Sequence, residues 1–133
     1  MSVLPITEYL VNNAKNFKDD VALVEINPEV EEKSRMTWRE YSLIEPGNTN
    51  SIRKEMTWGE FDKKANRFCN LLLSRGVKKG DRVAILLMNS LEWLPVYFGI
   101  LKAGALAVPL NYRYTAEEIK YCLKLSDSDV LVF

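Results

Sequence analysis

The feature that most constrains this chain is a set of short, nearly continuous apolar runs separated by segments of helical spacing. Arg82 to Met88, Ala105 to Leu110 and Asp129 to Phe133 are such runs. Strands of this kind are covered on both faces, whereas a strand with one wet face alternates apolar and polar residues. Between them lie two helix-like segments, Asn89 to Ala103 and the stretch after Thr115. Two strand–helix–strand units in succession predict a parallel sheet with right-handed crossovers, hence an α/β fold. The final run reaches Phe133 with no following element to cover it, and a buried strand needs neighbours. The expectation is one partial domain over residues 1–133, the truncated part of a larger fold.

The helix signals are local and physical. Thr57-x-x-Glu60 and Thr115-x-x-Glu118 carry capping-box spacing, in which threonine and glutamate satisfy exposed amides reciprocally. After the first box, Phe61, Ala65, Phe68 and Leu72 recur at 4, 3 and 4, with Asp62, Lys63, Asn66 and Arg67 opposite. Gly76 and Gly104 stand where two helices must end. The segment from Asn89 is apolar almost all round, as expected of a helix between layers, with Pro95 near its first turn. Earlier in the chain, a helix from Thr7 to about Phe17, capped by Thr7, leads through an Asp19-Asp20 turn into a strand Val21 to Ile26. Residues 27–56 are polar and hold a local duplication, Met36-Thr37-Trp38 echoed by Met56-Thr57-Trp58. They read as an extended N-terminal β-hairpin insertion: strand Met36 to Ile44, turn Glu45 to Asn50, strand Ser51 to Met56.

Several function classes are excluded. The 133 residues contain no histidine and two cysteines, which removes histidine bases, Ser-His-Asp chemistry and thiolate metal clusters. Eighteen basic residues balance eighteen acidic ones, so no net field draws nucleic acid or an acidic membrane. No run approaches the roughly 18 apolar residues of a membrane span. The first residues lack the basic and apolar blocks of a secretion signal, and a cytoplasmic location is expected. Cys69 and Cys122, each in a helix among apolar residues, read as free thiols.

No Gly-x-Gly-x-x-Gly follows any strand, so a small dinucleotide-binding unit is disfavoured. The Asp19-Asp20 pair precedes its strand rather than following it, and reads as a solvated turn. Lys102 sits in a helix's last turn, where a cation already suits the dipole, and reads as structural rather than as a phosphate ligand. Trp93 and Tyr97 belong first to the core. Arg113 and Tyr114, on a loop after a strand, are the candidates for ligand contact, because parallel sheets bind ligands beyond their strand C-termini.

Three segments in order resemble the start of the adenylate-forming superfamily of acyl- and aryl-CoA ligases, luciferases and peptide-synthetase adenylation domains. Thr57-Trp58-Gly59-Glu60-Phe61 is similar to its first core motif, Thr-Tyr-x-Glu-Leu. Gly76-Val77-Lys78-Lys79-Gly80-Asp81-Arg82-Val83-Ala84 is similar to its Gly-Val-x-x-Gly-Asp-x-Val-Ala turn and strand. Leu101-Lys102-Ala103-Gly104 through Val108-Pro109-Leu110-Asn111 is similar to its second core motif. The resemblance implies an intact ligase that joins a carboxylic acid to coenzyme A at the expense of ATP with Mg²⁺, in fatty acid metabolism. It also implies that the motifs for adenylation lie later than Phe133. No residue here is therefore assigned a catalytic, cofactor-binding or metal role, no cofactor is expected in this segment, and it is expected to be inactive alone. The alternative is a free-standing interaction module, a homodimer through the hairpin or the edge strand.

Overall fold

The computed structural model describes residues 4–26 and 53–133. Helix α1 spans Ile6–Asn16, and strands β1 (Val21–Ile26) and β2 (Arg53–Thr57) follow. Then come α2 (Trp58–Ser74), β3 (Arg82–Ile85), α3 (Trp93–Lys102), β4 (Leu106–Pro109), α4 (Ala116–Ser126) and β5 (Val130–Val132). The α/β expectation holds. β3 is flanked by β4 and β5 in a three-stranded sheet of order β4-β3-β5, and both pairings are parallel. The chain steps from β3 to one side and then crosses back over it to β5. Right-handed crossovers in opposite directions put their helices on opposite faces. Side chains agree: Val83 and Ile85 pack toward α2 and α3, while Leu86 and Leu131 face α4.

In the second sheet β2 pairs antiparallel with β1, Ile26 opposite Arg53 and Val24 opposite Glu55. Leu23 stands opposite Met56 in this pairing, and both belong to one apolar cluster beside α2. Met36 to Ile44, the turn Glu45 to Asn50 and the first copy of the duplication lie outside the described residues.

Two apolar clusters share α2 between them. Leu10, Met56, Phe61 and Ala65 form the smaller, and Cys69, Leu72, Val77, Val83, Ile85, Ile100, Ala103 and Ala105 the larger. The stripe along α2 thus runs through Cys69, while Phe68 is only half-buried. Both cysteines are free thiols, Cys69 buried and Cys122 half-buried. Full burial of Ile85 and Ile100 contributes roughly 1.5–3 kcal/mol each before cavity effects.

Three helices end in the same device. After α2, the Gly76 amide donates to the Leu73 carbonyl at 3.0 Å and the Val77 amide to the Leu72 carbonyl at 3.1 Å. After α3, Gly104 donates to Leu101 at 3.0 Å and Ala105 to Ile100 at 3.2 Å. This Schellman closure needs a left-handed residue, supplied by Gly76 at φ 88° and Gly104 at φ 76°. α4 ends likewise, Asp127 donating to Lys124 and Ser128 to Leu123, but here Asp127 itself adopts φ 52°.

Helix starts agree less well with the sequence. α1 begins at Ile6, one residue before its expected cap, because Pro5 already supplies the extended φ of −58° and a carbonyl that accepts the Glu8 amide at 2.9 Å. α3 begins at Trp93 rather than Asn89, and no side chain caps it. Residues 89–92 form bends and a turn instead, with the Trp93 amide donating to the Ser90 carbonyl at 3.2 Å. Pro95 consequently falls in the first turn, where its missing amide costs nothing. β3 is shorter than the apolar run predicts. Its pairing ends at Ile85 opposite Pro109, a residue that has no amide to donate.

Candidate functional site

The parallel sheet fixes where a ligand could be met. α3 leaves the C-terminal end of β3 and α4 leaves the C-terminal end of β4, on opposite faces, so the crevice between residues 86–90 and 111–114 is a topological switch point. The structure places Arg113 and Tyr114 at this end. Asn111 folds the loop: its side-chain oxygen accepts the Arg113 amide at 3.0 Å and its carbonyl accepts the Tyr114 amide at 3.0 Å. Arg113 Nε donates to the Tyr112 hydroxyl at 3.0 Å, and the guanidinium carbon lies 5.5 Å from the Tyr112 ring centroid. None of the ion pairs among the described residues involves Arg113. Arg113 is exposed, as are Tyr112 and Tyr114. A stacked, unneutralised guanidinium at a switch point can accept an anionic group; it supplies no base or nucleophile.

The loop is anchored at both ends. The Leu110 amide donates to the Ile85 carbonyl at 2.8 Å, tying it to the central strand. Thr115 caps α4, its amide and hydroxyl donating to Glu118 Oε2 at 2.7 and 2.9 Å. These bonds, from the Thr115 backbone first and its side chain second, hold the Glu118 carboxyl below the usual glutamate range.

Other sequence candidates resolve as structure. Lys102 Nζ donates to Asp62 Oδ1 at 2.6 Å and Asn66 Oδ1 at 2.7 Å, a clamp between α3 and α2 that leaves no free cation for phosphate. Trp93 and Tyr97 stack at 5.4 Å against the larger cluster. Asp19 and Asp20 lie in the turn before β1, where the Asp20 carbonyl accepts the Trp58 amide at 3.0 Å. Among the described residues no three carboxylates, thiols or imidazoles converge as a cation site. No described helix is long and apolar enough to cross a membrane.

Each residue of the first motif makes a local structural contact. Thr57 and Glu60 complete their reciprocal box, Trp58 stacks on Phe61 at 6.1 Å, and Phe61 meets Phe98 edge-on at 5.2 Å. Gly59 brings its amide 2.9 Å from the Lys18 carbonyl, and a Cβ there would stand 2.8 Å from Lys18 Cγ. One functional contact escaped the sequence reading. Glu25, the single charge in an otherwise apolar strand, accepts the Leu91 amide at 2.8 Å and so fixes the loop leaving β3. That lone charge was the available signal.

A model of the AMP-binding enzyme family matches residues 45–133. The chain belongs to this family. Among its relatives, the long-chain-fatty-acid–CoA ligase FadD13 of Mycobacterium tuberculosis is 35% identical over 102 residues, which cover 77% of this chain and 20% of that protein. A medium/long-chain-fatty-acid–CoA/3-oxocholest-4-en-26-oate–CoA ligase of Mycolicibacterium smegmatis is 42% identical over 78 residues, covering 59% of this chain and 14% of that one. The N-terminal domain of M. tuberculosis FACL13 superposes with a TM-score of 0.72 at 31% identity, over 97% of this chain and 27% of that chain. The N-terminal subdomain of Klebsiella oxytoca NpsA shares the fold, with a TM-score of 0.73 over 98% of this chain at 19% identity. The chain therefore spans a fifth or less of these curated relatives, and it is an N-terminal segment of the adenylate-forming acyl-CoA ligase type.

Proposed function

We propose that this chain serves as the opening section of the large domain of a cytoplasmic, ATP-dependent carboxylate–CoA ligase and is not catalytic by itself. The observation that carries the reading is the joint match to FadD13 in sequence and to the FACL13 N-terminal domain in fold, at more than 30% identity in each. In the complete enzyme, a carboxylate oxygen attacks the α-phosphorus of ATP, releasing pyrophosphate, and the coenzyme A thiol then displaces AMP from the acyl-adenylate. The residues described here position strands and loops for that chemistry. Arg113 and Tyr114 face the ligand end of the sheet and are assigned to contact with an anionic part of a substrate.

The test is carboxylate-dependent ATP–pyrophosphate exchange on the native polypeptide, captured from its source cells with an antibody against this segment. A polypeptide several times heavier than 15.3 kDa that catalyses exchange is expected, alongside an inert 133-residue chain. A captured species of 15.3 kDa, or exchange by residues 1–133 alone, overturns the reading.

A further inference from the structure

Between the antiparallel ribbon and the loop that leaves β3 runs a cleft of about 400 Å³, at the small end of the range for small-molecule sites. Leu23, Leu91, Leu94 and Trp93 form its apolar part, and the loop brings Asn89 and Ser90 to its wall. Glu25 is the one charged residue among the described residues lining it. The carboxylate is only half engaged. Oε2 accepts the Leu91 amide at 2.8 Å, while Oε1 has no hydrogen bond or ion pair among the described residues. Trp93 is engaged on one side as well: Tyr97 stacks on it with 14° between the rings, and the half-buried indole still lines the cleft.

We propose that this cleft binds a small onium ion, an ammonium cation carrying short alkyl groups: Glu25 Oε1 meets the charge, the Trp93 indole meets the alkyl groups, and Leu23, Leu91 and Leu94 enclose the rest. The site consists of this chain's own residues and does not depend on the ligase reading. The lining selects the ligand by exclusion. An anion is repelled by Glu25. A wholly apolar occupant strips water from the carboxylate and leaves Oε1 unmet. A divalent metal ion takes six or more oxygen ligands, whereas Glu25 is alone: no three carboxylates, thiols or imidazoles converge among the described residues. An alkylated ammonium satisfies both halves of the cleft, because such cations are drawn to aromatic faces and to tryptophan best of all. Lys54 is the internal competitor. It stands opposite Glu25 in the ribbon, yet it is exposed, does not line the cleft and pairs with no carboxylate among the described residues.

The experiment titrates the 133-residue chain with choline at low ionic strength and follows its amide and indole NMR signals. Saturable shifts are expected at Glu25, Leu91 and the Trp93 indole, with affinity falling as salt is added. The neutral isostere of choline, in which carbon replaces the quaternary nitrogen, is expected to bind at least tenfold more weakly. Glu25→Gln keeps an acceptor for the Leu91 amide but removes the charge. It is expected to weaken choline at least tenfold while the Leu91 amide stays protected from exchange. Lys54→Met removes the competing cation and is expected to tighten choline binding. Absence of saturable shifts overturns the proposal. So does equal binding of choline and its neutral isostere, since the cleft is then merely apolar. A folded Glu25→Gln chain that binds choline as the parent does, or weaker binding in Lys54→Met, overturns it too. The isostere comparison uses the unsubstituted chain, so it decides the question even if the Glu25 variant fails to fold. Loss of this site leaves pyrophosphate exchange on the native polypeptide as its own test, so the two readings fail separately.

Discussion

Asp127 holds the left-handed position that Gly76 and Gly104 hold after the other two helices, and an L-residue there costs about 1–2 kcal/mol in backbone strain. Its ion pair with Arg82, at 3.3 Å, leaves the aspartate side chain 90% exposed and so offsets little of that strain. Asp127→Gly is expected to raise stability by about 0.5–1 kcal/mol after the entropy of glycine in the unfolded chain is counted, as read from urea unfolding. Glu118 carries a pH signature. Its carboxyl sits lower in the folded chain than in the unfolded one, so its stabilisation is present above the ordinary glutamate range and is lost as pH falls through the lowered folded value. The protection of amides at the start of α4, taken as exchange relative to the intrinsic rate at each pH, is expected to fall on acidification through that range. In Glu118→Gln that protection is expected to be low and independent of pH in the same window; an unchanged profile in the variant overturns the assignment.

The element that sets the layering is α2, whose buried stripe of Phe61, Ala65, Cys69 and Leu72 runs through both clusters. α3 crosses it closely at Gly99. A Cβ built there would lie 2.9 Å from the Ala65 carbonyl oxygen and 2.9 Å from Phe68 Cβ, both fixed by α2 itself. Neither atom is the far end of a flexible chain, so the helices must separate. Gly99→Ala is expected to destabilise by about 1–3 kcal/mol despite the better helix propensity of alanine. A thermal transition equal to or above that of the parent chain would overturn the close-crossing account. The Lys102 clamp to Asp62 and Asn66 lies on the same pair of helices, so its worth must be measured separately from the crossing.

At the scale of the whole molecule, Glu25 ties the antiparallel ribbon to the parallel sheet through the Leu91 amide. Hydrogen bonds to charged groups contribute about 1.5–3 kcal/mol, so Glu25→Ala is expected to lose about that much, with faster exchange at Leu91. Glu25→Gln keeps an acceptor and is expected to lose less; equal losses would point to packing instead of the bond. What the residues determined by themselves is what local chemistry can encode. The boxes at Thr57 and Thr115 and the closures at Gly76 and Gly104 follow from groups within a few residues of one another, and all are found, whereas of the three apolar strands β3 alone is buried and β4 and β5 are not. The α/β order followed from their alternation. The partner of β2, the true start of α3 and the reach of Glu25 were decided by the tertiary structure, because each depends on groups brought together from distant parts of the chain. Met56 stands opposite Leu23 and beside Leu10, Phe61 and Ala65, residues no local pattern brings together. Asn89 is a plausible cap until Glu25 takes the amide of Leu91, sixty-six residues further along the chain, and holds the segment as a turn.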